Sequence, residues 1–114
     1  MRKAIIVNDC GHDFSSLREW IGERRPLAMS EGTVNIFDVD RIEMEFKDFL
    51  EKKFKEGDLL VLSGSVVLNA IACVLVCEKY GSVDVLIFNQ KTRKYVRRQL
   101  GRGKDSWQDL TRAR

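Results

Sequence analysis

The stretch Leu59-Leu60-Val61-Leu62 constrains this chain more than any other. Four apolar residues in a row, with no polar alternation, mark a strand covered on both faces. That is the place of a central strand in a parallel sheet. Ser63-Gly64-Ser65 breaks the run, and a largely apolar segment from Val66 to Tyr80 follows, closed by Gly81. A buried strand that turns through small residues into a helix is half of a βαβ unit. Such units lay helices on the faces of a parallel sheet.

The rest of the chain repeats this alternation. Lys3 to Val7 and Val83 to Phe88 are short, apolar and β-branched, so they read as further buried strands. Pro26 to Ser30 is a weaker strand, ended by Glu31-Gly32. Asp13 is expected to N-cap a short helix with Phe14, Leu17 and Ile21 on one face. Asp38 is expected to cap the clearest helix. There Val39, Ile42, Phe46, Phe49, Leu50 and Phe54 recur at helical spacing, with charged residues on the opposite face. Lys52, Lys53 and Lys55 suit the negative end of its dipole, and Gly57 suits its C′ position. Asn89 to Arg93 turns the chain, and Tyr95 to Leu100 returns as an antiparallel edge strand.

The order β-α-β-α-β-α-β-β predicts a three-layer, Rossmann-like α/β domain over residues 1–100, with the flavodoxin-like strand order 2-1-3-4-5. Residues 101–114 read as a basic C-terminal tail, mobile or folded into a short helix around Trp107 and Leu110. The helix over 66–80 is apolar nearly all round and should be buried on more than one side. A homodimer packed through it is therefore expected.

A chain of 114 residues suits one domain with its own core. Its longest apolar run, Val66 to Cys77, is interrupted by Asn69 and is too short to cross a bilayer. Few apolar residues follow Met1-Arg2-Lys3, too few for a signal peptide. Three cysteines, an odd number, point to a reducing cytoplasm.

The net charge of +3 hides an asymmetry. Residues 91–114 carry nine basic and two acidic groups, and residues 1–90 carry eleven basic and fifteen acidic. A basic end on an acidic body suits a polyanion partner or an acidic patch on another subunit. It also suits a merely solvated tail.

In an open parallel sheet a ligand binds beyond the carboxyl ends of the strands, where the strand order reverses. Here that point lies between the first and third strands. Two loops are expected to meet there: Asn8 to Ser16, with the chain's one histidine, and Ser63-Gly64-Ser65. The second opens a helix after a buried strand, so free backbone N–H groups and the helix dipole favour an anion. Gly64 would let a ligand approach the backbone. The loop has neither the P-loop pattern nor GxGxxG, and a serine there can equally be a simple N-cap. Asn69 can lean back towards the same crevice, or bond within a helix contact.

Asn8, Asp9, Ser63, Gly64, Ser65 and Asn69 are thus expected ligand-binding residues. His12 is the expected catalytic group, an acid or base or a phosphate donor, oriented by Asp13 or Asp9. Its plainer reading is an exposed loop histidine. Ser15 and Ser16 line the crevice or cap a helix.

Other features are quieter. Cys10 lies in a polar loop with no second motif for a thiol enzyme. Cys73 and Cys77 share an apolar helix face and read as small core residues. Asp38-Val39-Asp40 has the form of a DxD metal motif, but capping explains it. No metal site and no cofactor are expected. Lys91, Arg93, Lys94, Arg97 and Arg98, with Tyr95 among them, form a basic hairpin. It suits nucleic-acid contact, or the protection of an edge strand from aggregation.

The pattern Asn8-Asp9, His12-Asp13, then Asp58 to Ser65 with Asn69-Ala70, then Lys91 to Val96 resembles a family of small phage and archaeal-virus proteins. The resemblance covers most of residues 3–100 and implies no particular activity. The layout is also similar to CRISPR-associated Rossmann-fold (CARF) domains and their ring-nuclease relatives. That likeness implies dimers holding cyclic oligoadenylates over the strand ends, with Ser63 to Ser65 contacting the ligand.

Three functions follow as expectations. The first is a small dimeric domain binding a nucleotide or cyclic oligonucleotide, with metal-independent phosphodiester cleavage through His12 if it is an enzyme. The second is nucleic-acid binding through the basic hairpin and tail. The third is an interaction module presenting the apolar helix. No membrane contact is expected.

Overall fold

The computed structural model describes residues 2–101. Apart from Gly101, the basic tail, with Trp107 and Leu110, lies outside the described residues. The three apolar runs form β1 (Ala4–Ile6), β3 (Leu59–Val61) and β4 (Val83–Asn89), and all but the distal half of β4 is shielded. Beside them lie β2 (Leu27–Ala28) and β5 (Lys94–Leu100). The sheet order is β2-β1-β3-β4-β5, parallel from β2 to β4 and antiparallel between β4 and β5. This is the order expected from the sequence. The parallel register pairs Ile5 with Leu60 and Leu60 with Val85, so the three central strands share one level.

The helices lie on both faces, unequally. One face carries α2 (Val39–Lys53) and α3 (Val66–Tyr80). Ile42, Phe46 and Leu50 of α2 and Leu68, Ala72 and Val76 of α3 pack there with Ile5, Val7, Leu60, Val83 and Val85. The other face has a single 3₁₀ turn (Ser15–Leu17) running into the short α1 (Arg18–Ile21). Leu17 and Ile21 there cover Ala4, Ile6, Leu59, Val61 and Leu86. α2 shows why helical spacing is legible: its buried residues recur every four positions. The Arg41–Glu45 and Asp48–Lys52 pairs, at 3.0 and 3.1 Å, decorate its solvent side and add a few tenths of a kcal/mol each.

Several expectations need correction. Asp38 stands at the N-cap of α2, but its carboxylate caps nothing. Nearby, Asn35 Oδ1 accepts the Phe37 N–H at 3.2 Å. Gly57 is not the C′ residue of α2, which ends at Lys53. It lies in the next turn, closed by the Asp58 N–H on the Lys55 carbonyl at 2.9 Å. Its φ of +91° is what the third position of such a turn requires.

The second strand is two residues, not five. It is an edge strand with Leu27 exposed, so burial does little to hold it. Its pairing with β1 resumes past the strand, from the Met29 N–H to the Ile6 carbonyl and from the Asp9 N–H to the Ser30 carbonyl. α3 leaves Val66, Ala70 and Val74 exposed, so one chain does not bury it all round. No described helix is long and apolar enough to cross a membrane.

Candidate functional site

Because β1, β3 and β4 are parallel, their carboxyl ends share one edge of the sheet. A cleft of about 560 Å³ opens there, lined by His12 to Ser16, Leu62, Ser63, Phe88, Gln90, Arg93 and Tyr95. Its walls are the end of the β1 loop and the β4–β5 hairpin. Its floor is the end of β3.

The β1 loop divides its labour. Its first half faces β2 and β3. Asn8 is buried, with its amide donating to Cys10 Sγ at 3.0 Å and to the Gly32 carbonyl at 3.2 Å. Asn8 Oδ1 accepts from the Ser30 hydroxyl at 3.1 Å. Asp9 Oδ1 accepts the Gly11 N–H at 2.9 Å, closing a local turn. The second half turns into the cleft with His12, Phe14, Ser15 and Ser16. Asp13 Oδ1 takes the Ser15 N–H at 2.9 Å. That bond, with the Ser15 hydroxyl, holds the Asp13 carboxyl below its ordinary value.

The Ser63 loop is held from both sides. The Ser63 hydroxyl donates to the Asn8 carbonyl at 2.8 Å. Asn69 leans back as helix geometry predicts, but the loop's own backbone consumes it. Its Oδ1 accepts the Ser63 N–H at 3.0 Å, and its amide donates to the Ser63 and Ser65 carbonyls at 3.0 and 2.8 Å. Ser65 is the N-cap of α3, accepting the Val67 N–H at 3.1 Å. Gly64 is tight because the Asn8 side chain lies against it. Of the expected ligand residues, then, His12 and Ser63 reach the cleft. Asn8, Asp9, Gly64, Ser65 and Asn69 do not line it.

The hairpin supplies the opposite wall. Phe88 pairs with Tyr95 across the strands, their rings 5.2 Å apart. Burial raises the Tyr95 hydroxyl above its ordinary value, and the Asp13 charge adds to this. Arg93 is the one non-glycine with positive φ, +58°, among the described residues. The Ser16 hydroxyl donates to its carbonyl at 3.0 Å, tying the two walls together. The serines and Asp13 are therefore engaged within the fold. The side chains of His12, Gln90 and Arg93 stand at the cleft and form no hydrogen bond or ion pair with a described residue.

The other hairpin cations are partly engaged. Arg97 meets Asp84 at 3.0 Å, and Lys94 stands 3.9 Å from Glu19. Lys91 and Arg98 form no ion pair with a described residue. Burial, with Cys77 beside it, pushes the Cys73 thiol up to about 11 and makes it a poor nucleophile. Cys10 lies outside the cleft, against Asn8 and Gly32. Among the described residues no group of His, Cys, Asp or Glu side chains is arranged to hold a metal ion.

Sequence reasoning treated the crevice and the hairpin as separate. The topology joins them, and the signal was present. β4 runs parallel to β3, so the loop after β4 must emerge on the same edge. Phe88, Gln90 and Arg93 enter the cleft by that route.

Fold and cleft together define a small α/β protein of the doubly wound type, with a polar and aromatic cleft at the carboxyl edge of its parallel strands, between the β1 loop and the β4–β5 hairpin. The chain belongs to the phage Pam3 gp32-like protein family, whose model matches residues 7–101 and so takes in every residue of the cleft. That match supports the resemblance to small phage proteins, not the finer likeness to CARF domains. No curated protein and no solved structure gives a match.

Proposed function

We propose that the cleft binds a phosphate-bearing ligand, a nucleotide or a cyclic oligonucleotide. The observation that carries the reading is Arg93. Arginine is placed in a left-handed backbone conformation that glycine would adopt more cheaply, and its guanidinium is left without an acidic partner among the described residues. The His12 ring and the Gln90 amide supply further polar groups. Phe14, Phe88 and Tyr95 give the cleft aromatic surface for a planar base. Asp13 disfavours a bare polyanion but can accept hydrogen bonds from sugar hydroxyls or base amines. If a phosphodiester is cleaved here, His12 is the proton-transfer group and no metal is required.

The test is a thermal-shift screen against mononucleotides, cyclic di-, tetra- and hexanucleotides and short RNA. One small ligand should raise Tm, and His12→Ala or Arg93→Ala should abolish the rise. A screen without any shift overturns the reading. A homodimer through Val66, Ala70 and Val74 belongs to the same proposal. Sedimentation velocity of the wild type beside Val74→Glu tests it, and a monomeric wild type removes that element.

A second reading, nucleic-acid binding by the hairpin, is favoured by Lys91, Arg93 and Arg98, none of which forms an ion pair with a described residue, although Arg98 donates to the Arg97 carbonyl at 2.7 Å. It requires binding that weakens steeply with salt and is lost in Lys91→Ala/Arg98→Ala. Binding that survives both changes rules it out.

A further inference from the structure

We propose that the groove between α2 and α3 is the docking site for this chain's own C-terminal segment, residues 102–114. The groove has a volume of about 670 Å³. Its apolar surface comes from Met44, Leu50 and Leu75, and Met44 is 69% exposed. Asp40, Glu43, Glu51 and Glu78 rim it against Lys47 and Lys79. None of these four carboxylates forms an ion pair with a described residue. An apolar floor with an acidic rim fits a basic segment that carries large apolar anchors.

The chain contains such a segment. Residues 102–114 hold Arg102, Lys104, Arg112 and Arg114 against Asp105 and Asp109, with Trp107 and Leu110 three apart. The described chain also ends in the right place. A Cβ on Gly101 would meet the Gly81 carbonyl at 3.0 Å and Cys77 Sγ at 3.2 Å, so Gly101 lies against the C-terminal end of α3. Glu78 and Lys79 of the groove belong to that same helical turn. Crossing one helix diameter, about 10 Å, takes about three extended residues. Trp107, six residues beyond Gly101, then reaches Leu75 and Met44 with chain to spare. Proximity favours the segment of the same chain over a neighbour's, because tethering raises its effective concentration. Docking would also hold the basic end away from any polyanion.

The test reads Trp107 in the full chain carrying Trp20→Phe, which leaves Trp107 as the sole tryptophan. If that variant fails to fold, the wild type minus Trp107→Phe difference spectrum serves instead. The expected result is blue-shifted emission and protection from acrylamide, both independent of protein concentration. Glu43→Lys/Glu51→Lys should weaken docking by about tenfold, since each reversal removes an attraction and adds a repulsion. Salt at about 1 M, where screening acts within about 3 Å, should act in the same direction. A solvent-exposed Trp107 overturns the proposal. So does protection that the two reversals leave unchanged. Protection that grows with concentration assigns the groove to a second copy and overturns it equally.

Discussion

Gly64 and Asn8 are in such close contact that neither position tolerates an added atom between them. A Cβ at position 64 would stand 2.8 Å from Asn8 Cβ and 2.9 Å from its Nδ2, and Gly64 has φ of +79°. The glycine that sequence reading reserved for a ligand is filled by the fold itself. Asn8 is at once bonded to Cys10, Gly32 and Ser30, so it cannot swing aside freely. The ends of β1, β2 and β3 are locked together at this point.

Gly64→Ala should therefore destabilise the protein by roughly 2–4 kcal/mol, combining left-handed strain with overpacking. Urea unfolding measures it. A loss below about 0.5 kcal/mol, the range of ordinary surface changes, would show that the loop relaxes and that the contact is not rigid.

Asn69 closes the same loop from the helix side. Asn69→Ala leaves the Ser63 N–H and two carbonyls without their partner, at a cost of roughly 2 kcal/mol. Asn69→Asp should cost more, because a carboxylate would then face the Ser63 and Ser65 carbonyl oxygens. Thermal melts of the two variants give the order, and Asp milder than Ala would refute the bonding assigned to the amide.

The contrast between fold and site has a physical origin. The strand order was legible because Leu59 to Leu62 and Val83 to Phe88 are apolar runs, and burial imposes such runs directly on sequence. β2 was poorly legible because an exposed two-residue edge leaves no comparable mark. The site was only half legible. Asn8 and Asn69 are polar residues near strand ends, which is also how ligand residues look. Whether Asn8 faces a ligand or the fold depends on Ser30 and Gly32, 22 and 24 residues away, and Asn69 is consumed by Ser63 and Ser65 only because the loop folds back over its amide. Arg93 reads as one cation in a basic hairpin until its backbone conformation and the Ser16 bond are known.

Asp58 ties stability to pH. Burial alone would raise its carboxyl, but the Lys3 and Lys55 N–H groups, both at 2.9 Å, and the Lys3 ammonium at 3.0 Å outweigh it. The carboxyl thus lies below its ordinary 3.8 in the folded protein. Its contribution is fully present above that ordinary value and is lost as pH falls through the lower folded one. Asp58→Asn should cost roughly 2 kcal/mol near pH 7. The gap to wild type should narrow below about pH 4, as wild-type Asp58 takes up its proton. Urea midpoints across this range check the direction, and a gap that widens in acid would contradict it.

Arg93 allows stability and binding to be separated. In its left-handed conformation an ordinary side chain costs about 1 kcal/mol that glycine does not. Glycine also gains about as much entropy in the unfolded chain. Arg93→Gly should thus leave the unfolding free energy within about 0.5 kcal/mol of wild type. The Ser16 bond to the residue's carbonyl survives the change, because it is made to the backbone. The cleft keeps its walls and loses its guanidinium. If Arg93 is there for an anionic ligand, the variant melts with the wild type when unliganded, and only the wild type is stabilised by the ligand. A variant that is stabilised equally places the phosphate away from Arg93. A variant that unfolds several degrees lower shows instead that the side chain holds the hairpin, and the functional reading of its strain then falls.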